Sequence, residues 1–241
     1  LLTRTTRPVA PTEAGERLAN ELTPNFEDID AALANLGELR DKPGGTLRIT
    51  TGEHAASTIL WPVLRKLLPD YPDIRVEVIS DSSLTDIVAE RFDAGIRLGE
   101  QVANDMIALP IGPPMRMAVV GSPGYLASRP KVKTPRDLTD HDCINIRFLT
   151  RGGLYAWEFE KKGHPLNVRV EGRLIFNNSR HVIAAALDGF GLACVPDDIV
   201  RADIASGKLQ RVLADWCPPF PGYHLYYPSR RQPSPAFSLL V

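Results

Sequence analysis

From Thr46 onward the chain alternates short runs of strand character with stretches of helical period, and no other feature narrows its fold as much. Strands are expected at 47–51, at 74–80, where Val76 and Val78 alternate with Glu77, and at 94–98; helices are expected at 56–68 and 84–91. After a strand at 115–120 the pattern restarts, with strands at 144–148, 157–160, 167–170 and 174–176, a helix at 179–187 and a strand at 192–195. Strands at 209–213 and, aromatic in character, at 223–227 follow, and 235–241 reads as the start of a helix. Strand and helix alternating at this spacing imply an α/β protein with parallel sheets and right-handed crossovers. A length of 241 residues exceeds the usual single-domain size of roughly 100–150. Two Rossmann-like lobes meeting at a cleft are the expectation.

Composition sharpens this. Proline occupies 21 of the 241 positions, so stiff turns separate many short elements. Lys plus Arg total 28 and Asp plus Glu 29, and this balance excludes a surface built wholly to hold a polyanion; any nucleic-acid contact must be local. No apolar run reaches the roughly 18 residues of a spanning helix, and the first residues lack the apolar core of a signal peptide, so a cytoplasmic protein with no membrane partner is expected. Cys143, Cys194 and Cys217 are odd in number and lie in apolar or proline-rich surroundings, which points to buried reduced thiols.

Residues 1–45 differ from the rest. Thr12 can cap a helix over 14–40, and Glu13 and Glu16 suit its positive end. Leu18, Leu22, Phe26, Ile29, Leu33 and Leu36 recur at spacings of three and four, a narrow seam that wants a partner helix. Pro24 should kink this helix near Asn20, and Lys42-Pro-Gly-Gly45 should end it as a linker.

Enzyme signatures fail on inspection. Gly189-Phe-Gly191 lacks the preceding strand and third glycine of a dinucleotide site, and Gly121-Ser-Pro-Gly124 lacks the spacing of a nucleophile elbow. His54, His141, His164, His181 and His224 show no metal-ligand spacing, and no metal or cofactor is expected. Asp137, Asp140 and Asp142 around His141 read as a capped short helix and a solvated loop. Two strand-to-helix turns carry more. Thr51, Gly52, Glu53 and His54 open the first helix of the alternating pattern, and Asn177, Asn178 and Ser179 open one in the second half; free N–H groups at such helix starts favour anions. Ligands of open parallel sheets lie beyond the strand carboxyl ends, which adds Ser80, Asp81, Ser82, Arg97 and Arg147. The plainer reading is that these residues cap helices, or that Arg97 pairs with Glu53 or Asp81.

The run Arg4-Thr-Thr-Arg-Pro-Val-Ala-Pro-Thr-Glu-Ala-Gly15 resembles the wing and following helix of LysR-type transcriptional regulators. So do Leu60-Trp-Pro-Val-Leu64 with Tyr71-Pro72, Phe92-Asp-Ala-Gly-Ile-Arg97, Ser122-Pro-Gly-Tyr-Leu126, Pro135-x-Asp-Leu-x-x-His-x-Cys143, Trp157-Glu-Phe159 and Ala186-Leu-Asp-Gly-Phe-Gly-Leu-Ala-Cys-Val-Pro196. The resemblance covers essentially the whole chain. It implies a regulator, not an enzyme, whose periplasmic-binding-protein-like effector domain holds a small molecule between its lobes. The lobes would be 46–120 with 221–241, and 121–220. Residues 1–45 would be the end of a winged helix-turn-helix and a dimerising linker helix, with Arg4, Thr5, Thr6 and Arg7 touching DNA and Leu22, Phe26, Ile29, Leu33 and Leu36 joining subunits into a homodimer or homotetramer. Beginning on Leu1 with no recognition helix, the chain reads as a piece of a longer protein, and its end at Val241 cuts short the family's closing helix. The partners implied are double-stranded DNA, a small effector, expected to be anionic, and a second copy of the chain. A stand-alone solute-binding protein of a transport system shares the fold and is the alternative; the arginine-flanked wing and the seam of residues 1–40 count against it.

Overall fold

The computed structural model describes residues 2–4, 9–36, 43–81, 86–99, 106–147, 153–228 and 234–241, with the backbone alone for 2–4, 9–11, 26–28 and 30–36. A two-stranded ribbon of β1 (Leu2–Arg4) and β2 (Val9–Pro11) leads into α1 (Glu13–Leu36), where Thr12 Oγ1 accepts from Gly15 N at 3.2 Å. Leu18, Leu22 and Ile29 on α1 are 39%, 41% and 53% exposed.

The next elements are β3 (Gly45–Thr51), then α2 (Glu53–Ala55), a wider turn of helix over Ala56–Leu60 and α3 (Trp61–Leu67), which run as one rod. The widening has a local cause. Pro62 has no N–H to give the carbonyl of Thr58, while the hydroxyls of Ser57 and Thr58 donate to the carbonyls of Glu53 and His54 at 3.0 and 2.8 Å. Then come β4 (Ile74–Ser80), β5 (Ala94–Leu98), β6 (Met106–Pro110) and β7 (Met117–Gly121). The helix expected over 84–91 is absent among the described residues. Residues 84 and 85 lie outside the described residues; residues 87–91 form hydrogen-bonded turns, with Asp86 Oδ1 capping the N–H groups of Val88 and Ala89 and Arg91 taking a left-handed φ of 56° that ends the coil after one turn.

The second half contains α4 (Pro123–Ala127), a 3₁₀ turn over Pro135–Asp140, β8 (Cys143–Ile146), β9 (Trp157–Lys161), β10 (His164–Val168), β11 (Ile175–Phe176), α5 (Ser179–Leu187), β12 (Leu192–Pro196), α6 (Asp197–Ala205) and β13 (Gln210–Val212). The chain closes with β14 (Tyr223–Pro228) and α7 (Pro235–Ser238).

Two five-stranded sheets result, ordered β4-β3-β5-β14-β6 and β11-β8-β12-β7-β13. Both are mixed and not wholly parallel. β3 runs parallel to β4 and β5 while β14 opposes β5 and β6; β8 runs parallel to β11 and β12 while β7 opposes β12 and β13. The antiparallel strands are those that flank the passage from one lobe to the other. The chain crosses twice, and the crossings pair: Met115 and Phe220 exchange two backbone bonds of 2.9 and 2.8 Å, and a Cβ on Gly222 would lie 2.1 Å from the carbonyl oxygen of Pro113. Only glycine permits that approach.

The strand expected at 157–160 forms a separate hairpin with β10, which spans His164–Val168 and not the expected 167–170, turned at Lys162 and Gly163, both with positive φ. Its role is to cover a sheet face. Alternation sends Val119, Cys143, Leu192 and Cys194 toward Trp157 and Phe159, and sends Ala118, Val120, Ile144, Ala193 and Val195 toward Val182 of α5 and Val200 of α6. In the first sheet Leu47, Ile49, Ala94, Ile96 and Leu225 pack on Leu60, Leu64 and Phe237, and Tyr226 on the other face packs with Ile87 and Phe92.

Candidate functional site

The register aligns the carboxyl ends of the parallel strands. In the first lobe Thr51 stands beside Ser80 on one side and Ile96 on the other, so Ser80, Thr51 and Arg97 share one sheet edge. In the second lobe Ile146 pairs with Phe176 and β12 ends at Pro196, so Arg147, the Asn177–Asn178 turn and the start of α6 share the matching edge. One contact shows that these edges face each other. His54, the second residue of α2, places Nε2 2.9 Å from Oδ1 and 3.0 Å from Oδ2 of Asp198, in the first turn of α6.

The rest of that imidazole is held from the hinge side. Its Nδ1 lies 3.0 Å from the hydroxyl of Tyr223, the first residue of β14. A carboxylate only accepts, so Nε2 carries the proton that bonds Asp198, and in the neutral ring Nδ1 is then the acceptor of the Tyr223 O–H. Burial, with the Asp198 charge beside it, pushes the Tyr223 phenol up to about 12, which keeps it a donor.

The other expected site residues sort as follows. Thr51 is buried and turns its hydroxyl to the carbonyl of Gly52 at 3.2 Å. Gly52 is the residue before α2 and offers no side-chain cap; Glu53 is exposed. Ser80 is exposed, and Asp81 donates its N–H to Thr51 O at 2.9 Å. Ser82 and the wing residues Thr5, Thr6 and Arg7 lie outside the described residues, as do the side chains of Arg4, Phe26, Leu33 and Leu36. Arg147 is exposed and donates its N–H to Phe176 O at 2.8 Å. Asn178 caps α5, its Oδ1 accepting from His181 N at 3.0 Å, and Ser179 begins that helix half-buried.

Arg97 is more enclosed than its position in the sequence suggests. It is 4% exposed, and its guanidinium donates to Thr50 Oγ1 at 3.0 Å and to Ile96 O at 2.8 Å. Burial pulls its pKa down, and Tyr226, Asp81 and Tyr223 oppose that shift. It therefore lies under the edge, braced to the sheet.

Sequence reading missed Asp198 and Tyr223. The pair Asp197–Asp198 after Pro196, followed by Ile199, Val200 and Ile204, was an available helix-start signal, since acidic side chains favour the first turn. Asp197 is engaged otherwise, bonded to Arg211 and 3.7 Å from Arg201. The three cysteines, distant in sequence, meet in one core cluster as free thiols. Burial pushes all three up, Cys143 to about 12, so they stay protonated and unreactive near neutral pH. Among the described residues no group of three His, Cys, Asp or Glu could hold a metal ion, and no helix is long and apolar enough to cross a membrane.

Comparison with known proteins adds the following. The family model of the LysR substrate binding domain matches residues 40–241. The HTH-type transcriptional regulator PgrR of Escherichia coli K12 is 49% identical over 241 residues, all of this chain and 81% of that protein. The HTH-type transcriptional regulator PtxR of Pseudomonas aeruginosa is 33% identical over 231 residues, 96% of this chain and 73% of that one. Among solved structures, the full-length Vibrio cholerae virulence activator AphB superposes with a TM-score of 0.73 at 26% identity, covering 98% of this chain and 80% of that one.

Proposed function

The chain belongs to the LysR-type transcriptional regulators, and from that premise we propose that the facing carboxyl edges of its two lobes hold a small anionic effector. The observation that carries this is the His54–Asp198 bond, which brings the start of α2 to the start of α6 and so frames a cleft between the lobes. Gly52 leaves the N–H groups opening α2 without a side-chain cap, and the exposed Arg147 lies on the opposite edge. Both favour negative charge. Thr51, Glu53, Ser80, Asp81, Ser82, Asn178 and Ser179 would surround the ligand, and Arg97 would contribute its field from beneath.

Lobe I comprises 46–120 with 221–241 and lobe II 121–220; the two sheets and the paired crossings support this division. Residues 1–45 serve DNA binding and self-association. Arg4, Thr5, Thr6 and Arg7 would touch phosphates of double-stranded DNA, and the seam of Leu22, Phe26, Ile29, Leu33 and Leu36 would meet a second copy. The exposure of Leu22 and Ile29 on α1 supports the second point, since apolar side chains in a row seek cover. The site of action is the cytoplasm.

A ligand binds this cleft usefully only if it prefers one arrangement of the lobes, and that preference sets how far the regulator shifts. Thermal-shift titration tests the charge. Small carboxylates should raise the melting temperature, and their amides should not. Arg147→Ala should remove the rise, measured against the variant's own unliganded melting temperature. Equal stabilisation by the amides, or an unchanged response in the variant, refutes the anion reading.

A further inference from the structure

The second lobe has a recess of about 480 Å³. Its wall is formed by His141 and Asp142 ahead of β8, Asn145 on β8, Leu154, and Val170 with Glu171 from the strap that runs beside β8. The strap is fixed by bonds from Cys143 N to Glu171 O at 2.8 Å and from Asn145 N to Leu174 O at 2.9 Å. At Gly172 it comes so close that a Cβ would lie 2.0 Å from the Cys143 carbonyl oxygen. The recess is therefore built by backbone pairing.

Among the described residues, two buried polar atoms of this wall have no hydrogen-bond partner. They are Nε2 of His141 and Oδ1 of Asn145, on residues 5% and 1% exposed. Leaving such an atom bare costs about 1–3 kcal/mol, and native structures keep few of them without a reason. The far side of each side chain is occupied: His141 Nδ1 lies 3.3 Å from the Tyr125 hydroxyl, and Asn145 Nδ2 donates to Cys143 O at 3.4 Å. What remains on the Asn145 side is a pure acceptor.

We propose that this recess binds a small organic cation, a protonated amine or guanidinium with a short aliphatic tail. Asn145 Oδ1 and the Glu171 carboxylate would accept its N–H groups. Asp142 adds a second carboxylate, shared with Arg129 at 2.9 Å. Leu154 and Val170 would cover the tail; among the described residues the wall itself contains no lysine or arginine, and the Arg129 guanidinium beside it is paired with Asp142. The volume suits such a molecule, since small-molecule pockets run from about 300 to 1,000 Å³. Its ligand takes the opposite charge to that of the cleft, and one wall residue, Leu154, bridges by its backbone to Arg147 of the cleft edge.

Isobutylamine and ethylguanidine are the probes, with isobutanol and isobutyrate as controls, and the readout is the imidazole resonance of His141 in the labelled full chain, assigned with His141→Gln. Both cations should shift it saturably, and the controls should not. Glu171→Gln, at an exposed position, should weaken binding at least fivefold, and Asn145→Leu at least tenfold. Arg147→Ala, which tests the cleft, should leave it unchanged. A control that matches the cations overturns the ligand class. A shift that fails to saturate, or that survives Glu171→Gln undiminished, overturns the site; that exposed variant decides the matter even if Asn145→Leu does not fold.

Discussion

His54 and Asp198 are 144 positions apart in sequence and 2.9 Å apart in space, and their bond links the first helix of one lobe to the first turn of a helix in the other. Because the two lobes are otherwise joined through the paired crossings of the hinge, such a bond biases how far they open. Asp198→Asn and His54→Leu should each widen the distribution of lobe separations, measured as distances between spin labels at Arg65 and Arg201. The effect on global stability should be small, about 1 kcal/mol, because Asp198 is 40% exposed and water screens the pair. Unchanged separations in both variants would show that the contact does not restrain the lobes.

Alkaline stability follows from two buried acids. The Cys143 thiol and the Tyr223 phenol are both pushed up to about 12, against ordinary values of 9.0 and 10.0. In the window from about pH 9 to 12 the unfolded chain has already lost protons that the folded chain retains, so stability is full below pH 9 and falls as pH rises. Tyr223→Phe should flatten the part of that fall above pH 10, by about 3 kcal/mol at most. Urea unfolding at pH 8, 10 and 11 checks this, and identical slopes for parent and variant would contradict it.

Gly172→Ala should destabilise by about 1–3 kcal/mol, since the added methyl meets the backbone of Cys143, which cannot rotate away. For a chain of this size that is a fall in melting temperature of roughly 2–10 °C. Gly124→Ala, where a Cβ would meet nothing within 4 Å, is the control and should change little. If both variants melt together, the close approach of the strap is not real.

Self-association through α1 predicts a dimer or larger assembly that Ile29→Asp weakens. Ile29 is 53% exposed, so the change should spare the fold of a single chain. Sedimentation across micromolar concentrations should show dissociation shifted upward by at least tenfold. A monomer in both proteins removes the seam as an interface.

How much of this was legible in advance varies with the range of the interaction. Helix α5 was readable because Asn178 caps it and its apolar residues keep one face; the 3₁₀ turn at Pro135–Asp140 was readable from Thr134 and Asp137, whose carboxylate accepts from Thr134 N at 2.8 Å. The segment at 84–91 misled because apolar spacing alone cannot show that Arg91 turns into the left-handed region and stops the coil after one turn. The hairpin of β9 and β10 was read as two sheet strands, since alternation says which residues share a face but not which sheet they join.

The sequence by itself determined most of the elements and their order, though not β6, α4 or α6, together with the two-lobed α/β class and the likeness to LysR regulators, because periodicity, caps and turn residues act over a few positions. The tertiary structure alone decided the rest. It set Asp198 against His54, enclosed Arg97 under the sheet edge, gathered three scattered cysteines into one core and buried Asn145 Oδ1 and His141 Nε2 with no hydrogen-bond partner among the described residues. These depend on which strand lies beside which, and strand order is settled by how whole faces pack together, a contest among distant segments that no local window of residues contains.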